Sequence, residues 1–224
     1  MIQIPERIAH RGFSAEAPEN TMAAFRLAEQ KGYQMFECDV QLSSDGVPVI
    51  FHDETVERTT TGQGLLQDHS FAELQALGVN SLAEVLEWLT TNTMSMNLEL
   101  KGQQLDLVDR VSAVLKPYLP KLNERILISS FEWEQLEKFN ALNLNLPRGV
   151  LVDDSLFHKW GFDGIRARMQ SLGALSLNLD AKLLQGGSLP EFLAICPIIL
   201  VYTVKPHEIF DFIKQGISGV FTNG

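Results

Sequence analysis

The sequence predicts a TIM (β/α)8 barrel, a fold of the α/β class. Predicted strands and helices alternate along the chain, which implies parallel strands joined by right-handed crossovers. Eight such units in 224 residues suit a compact barrel. A doubly wound sheet is the alternative, but it would normally begin with a glycine-rich turn, and His10-Arg11-Gly12-Phe13 is not one. We therefore expect a single domain over residues 1–224.

The first half of the chain alternates short apolar runs with amphipathic stretches. A helix over 21–31 begins at Asn20 or Thr21 and stops at Gly32, because Asn and Thr cap helices and glycine ends them. Strands are predicted over 7–10, 35–40, 47–52 and 94–100, and the third of these follows an Asp45-Gly46 turn. A second helix is indicated by the i, i+3, i+4, i+7 spacing of apolar residues over 82–89.

The second half continues the alternation. Helices are predicted at 108–115, which Pro117 helps to end, and at 133–139, 189–196 and 209–213. Strands are predicted over 126–129, 149–152, 174–179, 198–204 and 219–222. The chain holds eight strands when the 47–52 segment is counted with the strand before it. After the eighth strand, we expect the last helix of a barrel to be missing or supplied by the N-terminal segment.

Composition and charge exclude several classes of protein. The net charge is −10, whereas a protein that grips a nucleic-acid backbone needs a basic surface. Cys38 and Cys196 are too few for a disulfide framework or a structural zinc site. No basic region followed by an apolar run begins the chain, and its longest apolar stretch is shorter than the ~20 residues of a membrane span. We expect a cytoplasmic protein without stable membrane insertion or a nucleic-acid partner, while the oligomeric state stays open.

Unusual polar residues stand at the ends of the first predicted strands. Side chains alternate along a strand with a period of two, so Glu37 and Asp39 share a face while Cys38 points to the helices. The same spacing pairs Glu99 with Lys101. Chemistry in this fold lies at the carboxyl ends of the strands. We therefore expect these side chains to meet at the barrel mouth with those of His10, Arg11 and His52.

These residue types together favour the cleavage of a phosphodiester. Three converging carboxylates repel one another unless a cation or a proton intervenes, and oxygen ligands favour Mg²⁺ or Ca²⁺. Two imidazoles supply acid–base groups that work at neutral pH, and two cationic side chains attract an anion. A base for the nucleophile, an acid for the leaving oxygen and positive charge on the phosphoryl oxygens are the parts that this reaction needs.

Other polar residues have ordinary interpretations. Asn20 is interpreted as a helix cap, since Asn is among the best residues at that position. Cys38 is interpreted as packing, because no motif makes it a nucleophile. The remaining histidines, His69, His158 and His207, are interpreted as surface residues.

Several motifs stand in one order along the chain. They are His10-Arg11-Gly12, Pro18-Glu19-Asn20-Thr21, Glu37-Cys38-Asp39-Val40, Asp45-Gly46-Val47-Pro48-Val49, His52-Asp53, Arg58-Thr59-Thr60-x-Gly62 and Glu99-Leu100-Lys101. This series resembles the glycerophosphodiester phosphodiesterases, densely through residue 101 and more thinly through Ser129-Ser130-Phe131 and Tyr202-Thr203-Val204. The resemblance implies a TIM-barrel hydrolase that converts glycerophosphocholine, glycerophosphoethanolamine and similar diesters to glycerol 3-phosphate and an alcohol.

The resemblance also implies roles for individual residues. Glu37, Asp39 and Glu99 would be metal ligands for Mg²⁺ or Ca²⁺, and His10 and His52 would be the acid–base pair. Substrate would contact Arg11, Lys101, Phe131 and Tyr202. Residues 54 to about 80 would form a small insertion after the second strand. Asn223 stands where the family usually has Asp, and we expect this departure to leave the metal and histidine set unaffected.

Two rival functions remain open. One is a related phosphodiesterase of the phospholipase C or D type, although the chain shows no basic patch or exposed apolar run for a membrane. The other is a protein that binds glycerophosphodiesters without cleaving them, although such a protein would be expected to lose a histidine or a metal ligand. The choice of alcohol also stays open, and the sequence favours broad tolerance.

Overall fold

The computed structural model describes residues 2–102 and 104–224, and its centre is a closed barrel of eight parallel strands, as predicted. The first strand, β1 (Arg7–Ala9), pairs with both β2 (Met35–Leu42) and β9 (Gly219–Thr222), which closes the barrel. Between them lie β4 (Ser95–Leu100), β5 (Ile126–Ser130), β6 (Arg148–Val152), β7 (Ser176–Asp180) and β8 (Ile199–Tyr202), in chain order. This closure excludes the doubly wound sheet.

One further strand extends the barrel beside β2. This strand, β3 (Pro48–Ile50), runs antiparallel to the end of β2, with Val40 opposite Ile50. The turn between them depends on Gly46, whose φ of 76° lies in the left-handed region that glycine adopts without strain. The Gly46 amide donates to the Ser43 carbonyl at 3.0 Å, so the predicted Asp-Gly turn is confirmed.

Helices cover the outside of the barrel. They are α1 (Met22–Gln30), α2 (Phe71–Ala76), α3 (Leu82–Leu89), α4 (Leu107–Leu115), α5 (Leu119–Leu122), α6 (Trp133–Ala141), α7 (Asp154–Leu172), α8 (Leu189–Leu193) and α9 (Ile209–Lys214). Their apolar faces pack on the outward-facing residues of the strands in one large core, which includes Cys38 and Val40. Among the described residues, every helix is too short or too polar to span a bilayer.

The segment between β3 and α3 has a small core of its own. Val56, Leu66, Leu74 and Val79 are buried there against Phe51, which follows β3. The segment contains a bridge between Thr55 and Leu65, a short 3-10 turn at Leu66–Asp68 and α2. These residues therefore form a compact addition on the rim where the strands end.

The structure differs from the predicted elements in several places, and the helices α2, α5 and α7 were not predicted. The longest helix, α7, was not predicted, because only Ile165, Met169 and Leu172 of its 19 residues are buried and Gly161 interrupts it. The helix expected over 189–196 is wrong in length, since α8 ends at Leu193 and a tight turn follows. Residues 2–6 form no helix, so of the two expected alternatives for the last helix of the barrel, supply by the N-terminal segment is excluded. Instead, Ile2 packs with Ile8, Met35, Leu127, Leu200 and Phe221.

Candidate active site

Three carboxylates meet at the carboxyl ends of β2 and β4. Glu37, Asp39 and Glu99 are buried, and each brings one oxygen within 4.8 Å of an oxygen of the other two. The register of the parallel strands sets Asp39 directly beside Glu99. Glu37 lies two residues earlier on β2, so its side chain points to the same face. The structure therefore brings together all three predicted ligands.

The carboxylates cannot all stay ionised without a positive partner. Burial, with the charges of Asp39 and Glu99, raises the pKa of Glu37 well above its ordinary value. Burial and the charge of Asp39 raise the pKa of Glu99 to about 7. Burial would also raise the pKa of Asp39, but Lys101 and Arg11 outweigh it and lower that pKa. One oxygen of Glu37 has no hydrogen-bond partner among the described residues, so the donor set fits a hard divalent cation.

Two cationic side chains flank the carboxylates. The Lys101 ammonium lies 3.3 Å from a Glu99 oxygen and 3.6 Å from an Asp39 oxygen. The Arg11 backbone amide donates to Glu37 at 2.8 Å, and Nε of the Arg11 side chain lies 3.5 Å from an Asp39 oxygen. Arg11 holds a φ of 56°, which turns the chain after β1 back across the barrel mouth. An anion bound at the carboxylate-held cation would therefore meet positive charge from two further directions.

His10 follows β1 and is held by a residue near the C-terminal end of the chain. Its Nδ1 is hydrogen-bonded to the Asn223 side-chain oxygen at 2.8 Å, and its Nε2 lies 4.0 Å from Glu37. Burial and the charge of Arg11 lower the pKa of His10. The expectation that position 223 leaves the histidines unaffected is wrong. The pairing of β9 with β1 brings Asn223 to the imidazole. Because 213 residues separate Asn223 from His10 in the sequence, no local pattern predicted this contact.

His52 follows β3 and lines the same cavity as His10. Its Nδ1 is hydrogen-bonded to Asp53 at 2.6 Å. The Gln41 amide donates to the carbonyls of Phe51, His52 and Asp53, which fixes the backbone of this loop. Burial lowers the pKa of His52, although the charge of Asp39 and the bond to Asp53 act against it.

Asn20 is a residue of the site, so its interpretation as a helix cap is wrong. Its amide nitrogen donates to the Asp39 carboxylate at 2.8 Å, and its oxygen accepts the Asp39 backbone amide at 3.2 Å. Thr21 caps α1 instead, because its side chain accepts the Ala24 amide. Asn20 is 4 % exposed and has a φ of 56°, a conformation that Asn tolerates better than most residues. Its side chain therefore holds one of the three carboxylates in position.

Aromatic side chains form one wall of the site. The rings of Phe131 and Tyr202 lie 5.7 Å apart, edge to face, and the Tyr202 hydroxyl donates to the Val152 carbonyl at 2.9 Å. They border a cavity of about 200 Å³, which is also lined by His10, Arg11, Glu37, His52, Asn97, Glu99, Lys101, Leu151, Thr203 and Phe221. A larger cavity of about 890 Å³ lies at the other ends of the strands and contains none of the predicted site residues.

The other histidines and the cysteines lie away from these groups. His158 and His207 are exposed, while His69 is half-buried and hydrogen-bonded to the Gln63 carbonyl at 3.0 Å. Cys38 is buried among outward-facing residues of β2, where it packs against helices. Cys196 is also free and buried.

Comparisons with known proteins agree with this arrangement. Residues 10–224 match the Glycerophosphoryl diester phosphodiesterase family. A glycerophosphodiester phosphodiesterase of Caldanaerobacter subterraneus is 31% identical, with 96% of this chain and 93% of that protein covered. A phosphodiesterase of Oleispira antarctica, solved with the product sn-glycerol-3-phosphate, is 30% identical with a TM-score of 0.86, covering 98% of this chain and 93% of that one.

A third solved structure extends the likeness. The glycerophosphodiester phosphodiesterase of Thermotoga maritima superimposes with a TM-score of 0.81 at 26% identity, covering 100% of this chain and 96% of that one. The family match begins at His10 and runs through the last residue, so it includes every residue of the site described above. With its closed barrel and the buried carboxylates at its mouth, the chain belongs to the glycerophosphoryl diester phosphodiesterase family of enzymes.

Proposed function

We propose that this enzyme uses a divalent cation, Mg²⁺ or Ca²⁺, to hydrolyse glycerophosphodiesters to sn-glycerol 3-phosphate and an alcohol. The observation that carries the proposal is the buried triangle of Glu37, Asp39 and Glu99 beside a cavity that His10 and His52 both line. Glycerophosphocholine and glycerophosphoethanolamine represent the proposed substrates. The likeness to a protein solved with sn-glycerol-3-phosphate supports the proposed product.

The chain's own residues hold the substrate. Glu37, Asp39 and Glu99 would hold the cation, which neutralises charge on the phosphoryl oxygens when it is bound. Arg11 and Lys101 contact the same phosphate, because their nitrogens lie within 4 Å of the metal-ligating carboxylates. Phe131 and Tyr202 form an apolar wall for the glycerol or the alcohol carbons.

The two histidines move the protons. With its Nδ1 bonded to Asn223, His10 presents Nε2 to the cavity, where it takes the proton of the attacking oxygen. That oxygen belongs to water or to the glycerol 2-hydroxyl, which would pass through a cyclic phosphate. His52 gives a proton to the oxygen of the departing alcohol as its bond to phosphorus breaks. The net reaction adds one water across the phosphorus–alcohol bond.

Release of glycerol 3-phosphate from glycerophosphocholine and from glycerophosphoethanolamine tests the proposal. Activity should appear with Mg²⁺ or Ca²⁺ and disappear in excess chelator, and Glu37→Gln or Asp39→Asn should reproduce the loss at any cation concentration. Glu191→Gln, a change on the exposed face of α8, serves as the control and should keep full activity. Full activity in excess chelator would contradict the metal requirement.

The products distinguish the two rival functions. An enzyme of the phospholipase type would release a cyclic phosphate as its final product, whereas a binding protein would bind the diester without turnover. We also propose that the reaction takes place in the cytoplasm, on glycerophosphodiesters left by phospholipid breakdown. Two free, buried cysteines support a reducing compartment.

A further inference from the structure

A chain of ion pairs crosses the rim of the site, with Arg58 at its centre. The Arg58 guanidinium donates two hydrogen bonds to Asp53, at 2.5 and 3.0 Å, and two to Glu19, at 2.6 and 3.0 Å. Asp53 in turn bonds to His52 at 2.6 Å, and Glu19 accepts a bond from Arg11 at 2.8 Å. One side chain thus joins the carboxylate that bonds to His52 and the carboxylate that bonds to Arg11.

The two carboxylates are charged at neutral pH. The pKa of Glu19 falls to about 2, because its bonds to Arg58 and Arg11 outweigh the opposing effect of burial. The pKa of Asp53 also falls to about 2, chiefly through its bond to Arg58. Arg58 therefore balances two negative charges that would otherwise face each other near the cavity.

The backbone around Arg58 is built to present this side chain. Val56 is fully buried in the small core of the segment, and its carbonyl accepts bonds from both the amide and the hydroxyl of Thr60. Gly62 closes the turn in a tight space, since a Cβ there would lie 2.5 Å from the end of the Leu77 side chain, which would have to shift. Arg58 projects from this turn to Glu19 in the loop after β1 and to Asp53 in the loop after β3.

We propose that Arg58, held between Asp53 and Glu19, is a positioning residue that orients His52 through Asp53. This inference rests on the proposed function, in which His52 donates a proton and Arg11 contacts the phosphate. A guanidinium suits the task, because its planar fork can bond two carboxylates at once, whereas a lysine ammonium lacks that geometry. The Arg58 side chain is 50 % exposed, and exposed ion pairs contribute little to folding stability. The variant Arg58→Ala should therefore fold.

The dependence of the rate on the leaving group tests this role. Cleavage of glycerophosphoethanolamine releases ethanolamine, whose alkoxide needs a proton as it leaves. Cleavage of a glycerol phosphate ester of p-nitrophenol releases p-nitrophenolate, which leaves without one. Because misplacement of a catalytic group can reduce a rate about 100-fold, Arg58→Ala should lower kcat/KM on glycerophosphoethanolamine by about 10- to 100-fold. The loss on the p-nitrophenyl ester should be several times smaller. Arg58→Lys should give an intermediate loss on glycerophosphoethanolamine.

A double-variant measurement identifies His52 as the group that Arg58 acts through. If Arg58 works by orienting His52, then Arg58→Ala should cost much less in a His52→Ala background than in the native enzyme. Arg110→Ala is a matched control, because Arg110 is 56 % exposed, bonds to one carboxylate, Asp106, and lies on α4. This control should leave both rates unchanged.

The possible outcomes distinguish a failure of the positioning role of Arg58 from a failure of the proposed function. An equal loss on both esters, full activity of Arg58→Ala, or undiminished loss in the His52→Ala background would overturn the positioning role. A native enzyme that releases no glycerol 3-phosphate from any diester would instead overturn the proposed function. If His52→Ala itself shows no dependence on the leaving group, the acid role of His52 is wrong, and the double-variant coupling alone then decides the role of Arg58.

Discussion

The neighbours of each asparagine at the barrel mouth decide its role. Asn20 bonds to both the carboxylate and the backbone amide of Asp39, whereas Asn223 accepts a bond from the His10 ring. Asn97 lies two residues before Glu99, and its amide nitrogen donates to Ser129 at 2.9 Å. The same residue type thus contacts a buried carboxylate, an imidazole and a serine of a neighbouring strand. A residue type alone does not assign a role at this scale.

The proposed division between the histidines predicts different responses to the leaving group. Each proton transfer is typically worth ~10²–10⁴-fold in rate. His52→Ala should therefore lose most of its kcat/KM on glycerophosphocholine. It should recover much of it on the p-nitrophenyl ester, whose leaving group, p-nitrophenolate, needs no proton. His10→Ala should stay impaired on both substrates, because the attacking oxygen still has to lose its proton.

The two single variants control for each other in that measurement. A recovery in His10→Ala in place of His52→Ala would reverse the two roles. The absence of recovery in both variants would contradict the two-histidine scheme altogether.

At the scale of elements, the start of α1 serves both the helix and the site. Thr21 caps the helix, while Asn20, one residue earlier, turns back to bond Asp39. Gly12 makes this approach possible, since a Cβ at that position would lie 2.6 Å from the Cβ of Ala24 in α1. The loop after β1 therefore packs directly on the helix, which holds His10 and Arg11 above the carboxylates.

Substitutions at these adjacent positions should separate the two roles. Asn20→Ala leaves the buried Asp39 carboxylate short of a donor, which should lower the affinity for Mg²⁺ or Ca²⁺ by about 10-fold or more. Thr21→Ala should lower the free energy of unfolding by about 0.5–2 kcal/mol and leave the cation affinity unchanged. Calorimetric titration and denaturant unfolding measure the two quantities. Equal cation affinities in the two variants would contradict the role of Asn20.

At the scale of the whole molecule, barrel closure concentrates charge in one place. The chain carries a net charge of −10, yet the mouth of the barrel holds Arg11, Arg58 and Lys101 next to its buried carboxylates. An anionic ligand would therefore meet cationic side chains at this mouth, although the protein as a whole is acidic. The same concentration of charge couples cation binding to protonation.

The coupling predicts how cation binding changes with pH. Without the cation, Glu99 keeps its proton up to about pH 7, so a cation must displace that proton at lower pH. Because the folded state binds more protons than the unfolded state between pH ~4.5 and 7, this carboxyl makes the cation-free protein less stable as pH rises through that window. The increase in Tm on adding Mg²⁺ or Ca²⁺ should therefore be larger at pH 8 than at pH 6.

A variant of the same carboxyl checks the cause. Glu99→Gln removes one of the titrating carboxyls, so it should shrink the increase in Tm and reduce the difference between pH 6 and pH 8. An equal increase at both pH values in the native protein would contradict the coupling. Thermal unfolding with chelator and with added cation supplies the measurement.

Local sequence patterns predicted most of the strands and helices of the fold. Period-two alternation on β2 and on β4 predicted which side chains enter the barrel, and the apolar spacing of α3 and α6 predicted those helices. The helix α7 was not predicted, because a helix with few buried positions and an internal glycine has no clear apolar stripe in its sequence. Periodicity reports burial on one face, so an element that buries little is hard to predict by this means.

The sequence by itself determined which residue types stand at the ends of the strands, and so the carboxylates, histidines and cations available to the site. Only the tertiary structure decided which of these residues meet. Asn223 reaches His10 because β9 pairs with β1, and Arg58 reaches Glu19 because the segment after β3 folds back over the rim. Neither contact leaves a local signal, since alternation along a strand sets the direction of a side chain but not its partner. Partners are set by strand order and closure, which depend on the packing of the whole barrel.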